Sequence, residues 1–346
     1  MLSGGIGAAR RSSLNAAKLD ALVTAQFGPG ERGRHAFGSG AALTGTDDAG
    51  EPVVWVLVEE RAERALGPAL LWAERQGAQR HHLVVDDAGP AAVLARQAEC
   101  FADPRPVVWQ VAARSLAPAT PGGVVTTPAA PVPPELVDLL HDAGLDIVVE
   151  GGIVRGELNG LEVARIAVGF STAGEALAEP LLEVGVGKAD RELTGMLHAG
   201  LPPVDQLARV VEIVREHRRV GAEPHPLNQL VPERWLRAVL CREPALVGLG
   251  ALHPVAGPHV RTNLRDRDIA VALGESPGGD PVMVATAVGV ALDLVPMAAD
   301  ARAVLAPEAA LLLAVPERDD VAGNRRLAAR LTAPASIVPV PGDWRR

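Results

Sequence analysis

The chain has 346 residues, 48% of them hydrophobic, and a formal net charge of −9 at pH 7. That length supplies a well-buried core and about two or three domains, while the acidic balance argues against a nucleic-acid coat protein, whose footprint would be basic. The most apolar run, Val282–Leu292, is only half a membrane span and ends at Asp293, which argues against a membrane-spanning helix.

The N-terminal residues lack an apolar core long enough for a signal peptide, so the expected location is cytoplasmic and no membrane partner is expected. Residues 1–13 show no periodicity and read as a disordered tail. A helix is expected over 14–27, with Leu14, Leu19, Leu22 and Val23 on one face. FGPGERGRHAFGSG reads as a loop, AALTG and PVVWVLVEE as strands, and ERALGPALLWAERQG as a helix. RHHLVVDD, GPAAVLARQAECF and PVVWQV follow as strand, helix and strand. Val53–Val111 thus reads β-α-β-α-β, the pattern of parallel strands with crossover helices, within an N-terminal α/β domain over 14–111.

The Pro-, Ala- and Thr-rich stretch over 112–134 has no period and reads as a linker. A C-terminal α/β domain is expected over 135–346, with sub-parts at 135–240 and 241–346. It opens with the helix PPELVDLLHDAG, its prolines in the first turn. IVVEGGIVRGEL, GLEVARIAVG and PLLEVGVG follow as three strands, and Asn159-Gly160 marks a tight hairpin between the first two. Asp190 is placed to cap the helix ADRELTGML. A second helix, PPVDQLARVVEIVREHRRV, carries an apolar stripe of Leu207, Val210, Val211 and Val214. The remainder again reads β-α-β-α-β, over Val282–Val340. The fold class is therefore α/β: two βαβαβ units, mostly parallel, flanking a central helix-plus-three-strand segment. Duplication and chance explain the repeated unit equally well.

Cys100 and Cys241 have no Cys-x-x-Cys spacing, which excludes a zinc ribbon or disulfide scaffold and leaves two small buried hydrophobes. The histidines lack zinc-ligand spacing. No Gly-x-Ser-x-Gly or Gly-x-Gly-x-x-Gly supports a hydrolase elbow or a dinucleotide site.

Three constellations carry chemistry. In the first, the last two central strands each hold one acid, Glu162 and Glu183, with Lys188 nearby. Two carboxylates on adjacent strands can hold a divalent metal that activates water against a phosphodiester. The order helix, three strands, helix resembles the PD-(D/E)xK nuclease superfamily, known as restriction-endonuclease-like, over about residues 134–200. That resemblance implies Glu162 and Glu183 as catalytic Mg²⁺ ligands and Lys188 as the stabiliser of phosphate charge. Gly185 stands two residues after Glu183, where the family has its lysine. Strict alternation places Glu162 on a face with Ala164 and Ile166, opposite Val163 and Arg165, and Glu183 with Leu181 and Gly185.

The second is GVGKADRE, an anion site built from Gly185, Gly187, Lys188 and Arg191 at a strand-to-helix turn. Leu182 and Ala189 occupy the positions where a Walker loop needs glycine and Ser/Thr. The third is a set of charges at strand ends: Glu59, Glu60, Arg61, Asp86, Asp87, Asp293, Asp300, Arg302 and Glu317–Asp319. Ligands sit there in open α/β sheets, and helix caps do too. Two functions follow. One is a divergent metal-dependent nuclease or nucleic-acid-processing protein; the other is a non-catalytic α/β scaffold for a partner protein or a small anionic ligand.

Overall fold

In the computed structural model, described residues are 3–124, 127–170, 176–188, 190–192, 201–259, 261, 263–342, 344 and 345. The protein is mixed α/β, built as two compact units. Unit 1 comprises Met1–Gly123, Leu292–Ala303 and Val321–Ala335. Unit 2 comprises Val124–Ala291, Val304–Asp320 and Ser336–Arg346.

Unit 1 holds a six-stranded sheet in chain order: β1 (Gly33–Phe37), β2 (Gly40–Thr46), β3 (Pro52–Val58), β4 (Arg80–Val85), β5 (Val107–Ala112) and β6 (Ser115–Pro118). Pairs β3–β4 and β4–β5 are parallel, joined through helices α2 (Leu66–Arg75) and α3 (Ala88–Glu99), as the alternating pattern predicts. The outer pairs β1–β2, β2–β3 and β5–β6 are antiparallel. Helix α1 spans Ser3–Phe27, so residues 3–13 are helical rather than a disordered tail. Leu19, Leu22 and Val23 enter a core with Leu43, Trp55, Leu57 and Val84. Leu14, a turn earlier, stays 61% exposed. The 112–134 stretch is not all linker, because β6 forms within it.

Unit 2 holds two sheets. The first is an antiparallel meander of β7 (Asp146–Glu150), β8 (Ile153–Leu158), β9 (Leu161–Phe170) and β10 (Ala176–Val184). It follows α4 (Pro134–Asp142) and packs with α5 (Pro203–His217) around Leu161, Val163, Ile166, Leu207, Val211 and Val214. The expected single strand IVVEGGIVRGEL is two strands, because Gly151 and Gly152 turn at φ 60° and 79°. The Asn159-Gly160 hairpin forms as expected, with φ 48° and 72°. Glycine is needed at 160 for space as well, since a Cβ there would lie 2.2 Å from the Arg234 carbonyl carbon.

The second sheet has the order β11 (Ala251–Val255), β12 (Ala270–Glu275), β13 (Pro281–Thr286), β14 (Ala310–Pro316), β15 (Ala335–Val340). Pairs β11–β12 and β12–β13 are antiparallel and β13–β14 is parallel. Helix α6 (Pro232–Arg242) supplies Trp235, Leu236, Val239 and Leu240 to its core. Helices α7 (Leu294–Leu305) and α8 (Ala322–Ala329) follow β13 and β14 in sequence. With one sheet antiparallel and two mixed, the expectation of mostly parallel sheets is corrected: the described parallel pairs, β3–β4, β4–β5 and β13–β14, join strands linked through helices.

Candidate functional site

Glu162 and Glu183 come together by a route that alternation does not predict. Arg155 on β8 faces Arg165 on β9, and Glu157 faces Glu162. Two steps along β8 therefore match three along β9, so β9 carries an extra residue. The bulge reverses the parity of β9 and turns Glu162 onto the face of Arg155 and Arg165. Glu183 on β10 is the direct partner of Arg165 and shares that face.

On this face five guanidinium groups alternate with four carboxylates in one chain of ion pairs. Arg237 pairs with Glu157, which pairs with Arg234 at 2.8 Å. Arg234 reaches Glu150 at 3.0 Å, and Glu150 reaches Arg155 at 3.2 Å. Arg155 holds Glu162 at 2.6 Å, and Glu162 holds Arg191 at 2.8 Å. Arg191 approaches Glu183 at 3.7 Å, and Arg165 closes the chain on Glu183 at 2.6 Å. Glu150, Glu157 and Glu162 are buried. Burial works against the charge on Glu150, but Arg234 and Arg155 outweigh it and hold its carboxyl below the ordinary range. Burial likewise opposes the Arg234 charge, and Glu157 with Glu150 raises it.

The guanidinium of Arg191 thus stands between the two acids. Lys188, expected beside them, is 86% exposed and lies 3.8 Å from Glu192. Among the described residues no group of three His, Cys, Asp or Glu is arranged to hold a metal, and no helix is long and apolar enough to cross a membrane. In the GVGKADRE turn, Gly185 donates its N–H to Val163 O (2.8 Å) and Val186 donates to Asp190 Oδ2 (2.6 Å). These two amides are taken by the protein itself, and Arg191 is taken by the acids. Gly185, at φ 137°, is needed because a Cβ would press within 3.0 Å of Arg191 backbone atoms. Asp190 serves the helix start from inside its first turn; residues 193–200 of the expected helix lie outside the described residues.

Four of the strand-end acids are also engaged within their units. In unit 1, Asp86 meets Lys18 at 2.5 Å, Asp293 meets Arg64 at 3.2 Å and Asp300 meets Arg96 at 2.5 Å. In unit 2, Asp319 accepts the Gly289 N–H at 2.7 Å.

A concave site that sequence reading missed lies elsewhere in unit 2. A cavity of about 240 Å³ is lined by Arg219, Arg318, Arg345, Asn228, Trp235 and Trp344. The two indoles meet edge to face at 6.0 Å, and the Arg345 guanidinium lies over both, 5.7 Å and 5.2 Å from their centroids. Buried Arg218 lies over Trp235 at 4.7 Å. It donates to the carbonyls of Asn159, Leu227, Leu230 and Val231, an all-carbonyl shell, and burial pushes it down to about 9. Trp235 Nε1 and Asn228 Oδ1 are buried without a hydrogen-bond partner. Burial and the neighbouring Arg318 charge both lower the affinity of Arg345 for its proton. Among the described residues that line it, none is acidic.

Comparison with known proteins returns no match: no family model, no curated protein and no solved structure.

Proposed function

We propose that this protein binds a small anionic ligand in the arginine–tryptophan cavity of unit 2. The observation that carries this reading is the convergence of Arg219, Arg318 and Arg345 on one cavity with no carboxylate among its described lining residues. Like charges at close range are costly without a counter-ion, and planar guanidinium forks match phosphate or carboxylate oxygens. The unpartnered Trp235 N–H adds a neutral donor. The cavity volume suits a ligand no larger than a few non-hydrogen atoms around one or two charged groups. By contrast, the Glu162–Glu183 pair, its arginines in place, has its negative charge already matched.

Calorimetric titration of the full chain with inorganic pyrophosphate tests the proposal. Saturable binding, weakened about tenfold in Arg318→Ala and Arg345→Ala and falling with added salt, is the expected result. No saturable binding, or binding indifferent to both substitutions, overturns it. Incubation with DNA and RNA in Mg²⁺ decides the rival nuclease reading. Cleavage abolished by Glu162→Ala and Glu183→Ala would replace the binding function with a catalytic one.

A further inference from the structure

Unit 1 contains a larger cavity, about 530 Å³, within the size range of small-molecule sites. It opens beside the first residues of β3 and β4, Val53 and Arg80, away from the strand ends usual for α/β ligands. Phe27, Trp55 and His82 line it, with ring centroids 5.1 to 5.9 Å apart. Trp55 and His82 are near-parallel, at 14°. Its rim carries Glu31, Asp47 and Asp48 against Arg32 and Arg80.

Two polar features mark this aromatic surface. Trp55 Nε1 is buried with no hydrogen-bond partner. Trp109 Nε1 donates to His82 Nδ1 at 2.9 Å, which leaves the His82 ring proton on Nε2. Burial pushes the His82 imidazole down to about 4, so the ring is neutral at pH 7. Neutral donors beside an aromatic floor and the rim carboxylates of Glu31 and Asp48 match one ligand chemistry. That chemistry is a flat ring with acceptor atoms on one edge and amino hydrogens on another. The two arginines are already spoken for: Arg80 lies 3.0 Å from Asp47, and Arg32 donates to Thr24 and Gly28. The cavity therefore has no unmatched positive charge to recruit an anion.

We propose that this cavity binds an uncharged, amino-bearing planar heteroaromatic ring of the nucleobase class, stacked on Phe27 and accepting a hydrogen bond from Trp55 Nε1. The site is independent of the arginine-lined one, which selects charge rather than a ring.

Ligand-observed NMR and calorimetry with adenosine, alongside methyl β-ribofuranoside, test it on the full chain. Adenosine is expected to bind saturably and the riboside not at all. Trp55→Phe keeps an aromatic face but removes the donor, and should weaken adenosine about tenfold, the loss of one hydrogen bond. Phe27→Leu keeps the apolar volume but removes the stacking partner, and should weaken it likewise; it decides the matter if Trp55→Phe does not fold by circular dichroism. Arg318→Ala should leave adenosine affinity unchanged. No saturable binding at millimolar adenosine, equal binding of the riboside, or full affinity in both ring variants overturns the proposal.

Discussion

Arg234→Met probes the ion-pair chain at a buried arginine that joins two buried acids. Arg234 donates to Glu157 at 2.8 Å and to both Glu150 oxygens at 3.0 Å. Removing one partner of a buried ion pair costs about 3–5 kcal/mol, because a charge is left without compensation. Here each carboxylate keeps a second guanidinium, Arg237 for Glu157 and Arg155 for Glu150. The loss should therefore fall at the lower end, about 3 kcal/mol at pH 7. At roughly 2–4 °C per kcal/mol for a unit of this size, Tm should drop by about 6–12 °C. The pH dependence follows from Glu150, whose folded carboxyl is held below its ordinary value. It contributes stability above its unfolded pKa, which is lost as pH falls through the folded one. In Arg234→Met the dominant influence left is burial, which raises that carboxyl, so protonation relieves the variant earlier. The gap between wild type and variant should narrow between pH 7 and pH 5. Urea unfolding followed by circular dichroism at both pH values measures it. A loss below about 1 kcal/mol, or a gap that widens on acidification, refutes the claim that Arg234 compensates two buried charges.

Other outcomes follow from burial in unit 1 and from the thiols. His81 is buried, and burial pushes it down to about 4. Its neutral form stabilises the fold above the unfolded pKa near 6.5, and that contribution is lost as pH falls toward 4. His81→Leu should therefore gain stability relative to wild type as pH drops from 7.5 to 5, read by thermal melts; a constant difference would contradict this. Burial pushes Cys100 up to about 11 and Cys241 up to about 12. Iodoacetamide at pH 8 should label both only in urea, and rapid stoichiometric labelling of the folded chain would show the thiols to be accessible.

Much of the fold was legible where one local signal sufficed. β3, β13 and β14 are apolar runs bounded by Pro, Gly or charge, and the helix after β3 has an apolar period. Edge strands were not legible. β1 reads Gly-Arg-His-Ala-Phe, mostly exposed, and gains its partner only when β2 folds beside it. β6 is four residues long inside a Pro- and Thr-rich stretch. Gly151-Gly152 hid a turn inside an apolar run. For the acids, residue type was readable but orientation was not, because alternation fails after an inserted residue and the bulge at Glu162 has no local sequence mark. The arginine–tryptophan cavity gathers residues from 219 to 345, so no window contains it. Only the scarcity of aromatics, five Trp with no Tyr, could have drawn attention to Trp235 and Trp344.

Composition bears on the ion-pair chain in another way. The chain has 33 basic residues, of which Lys18 and Lys188 are the only lysines. A lysine ammonium is a compact point charge, whereas a guanidinium spreads five donors over a rigid fork. Arg234 uses that fork to span Glu150 and Glu157, and Arg155 contacts Glu150 and Glu162. Each interior arginine therefore bridges two carboxylates, which is what lets four acids share one face of a sheet with a guanidinium between each successive pair. The step that fails with lysine is the bridge, not the charge. Arg234→Lys should accordingly recover only part of the stability lost in Arg234→Met, and its shortfall measures the fork alone.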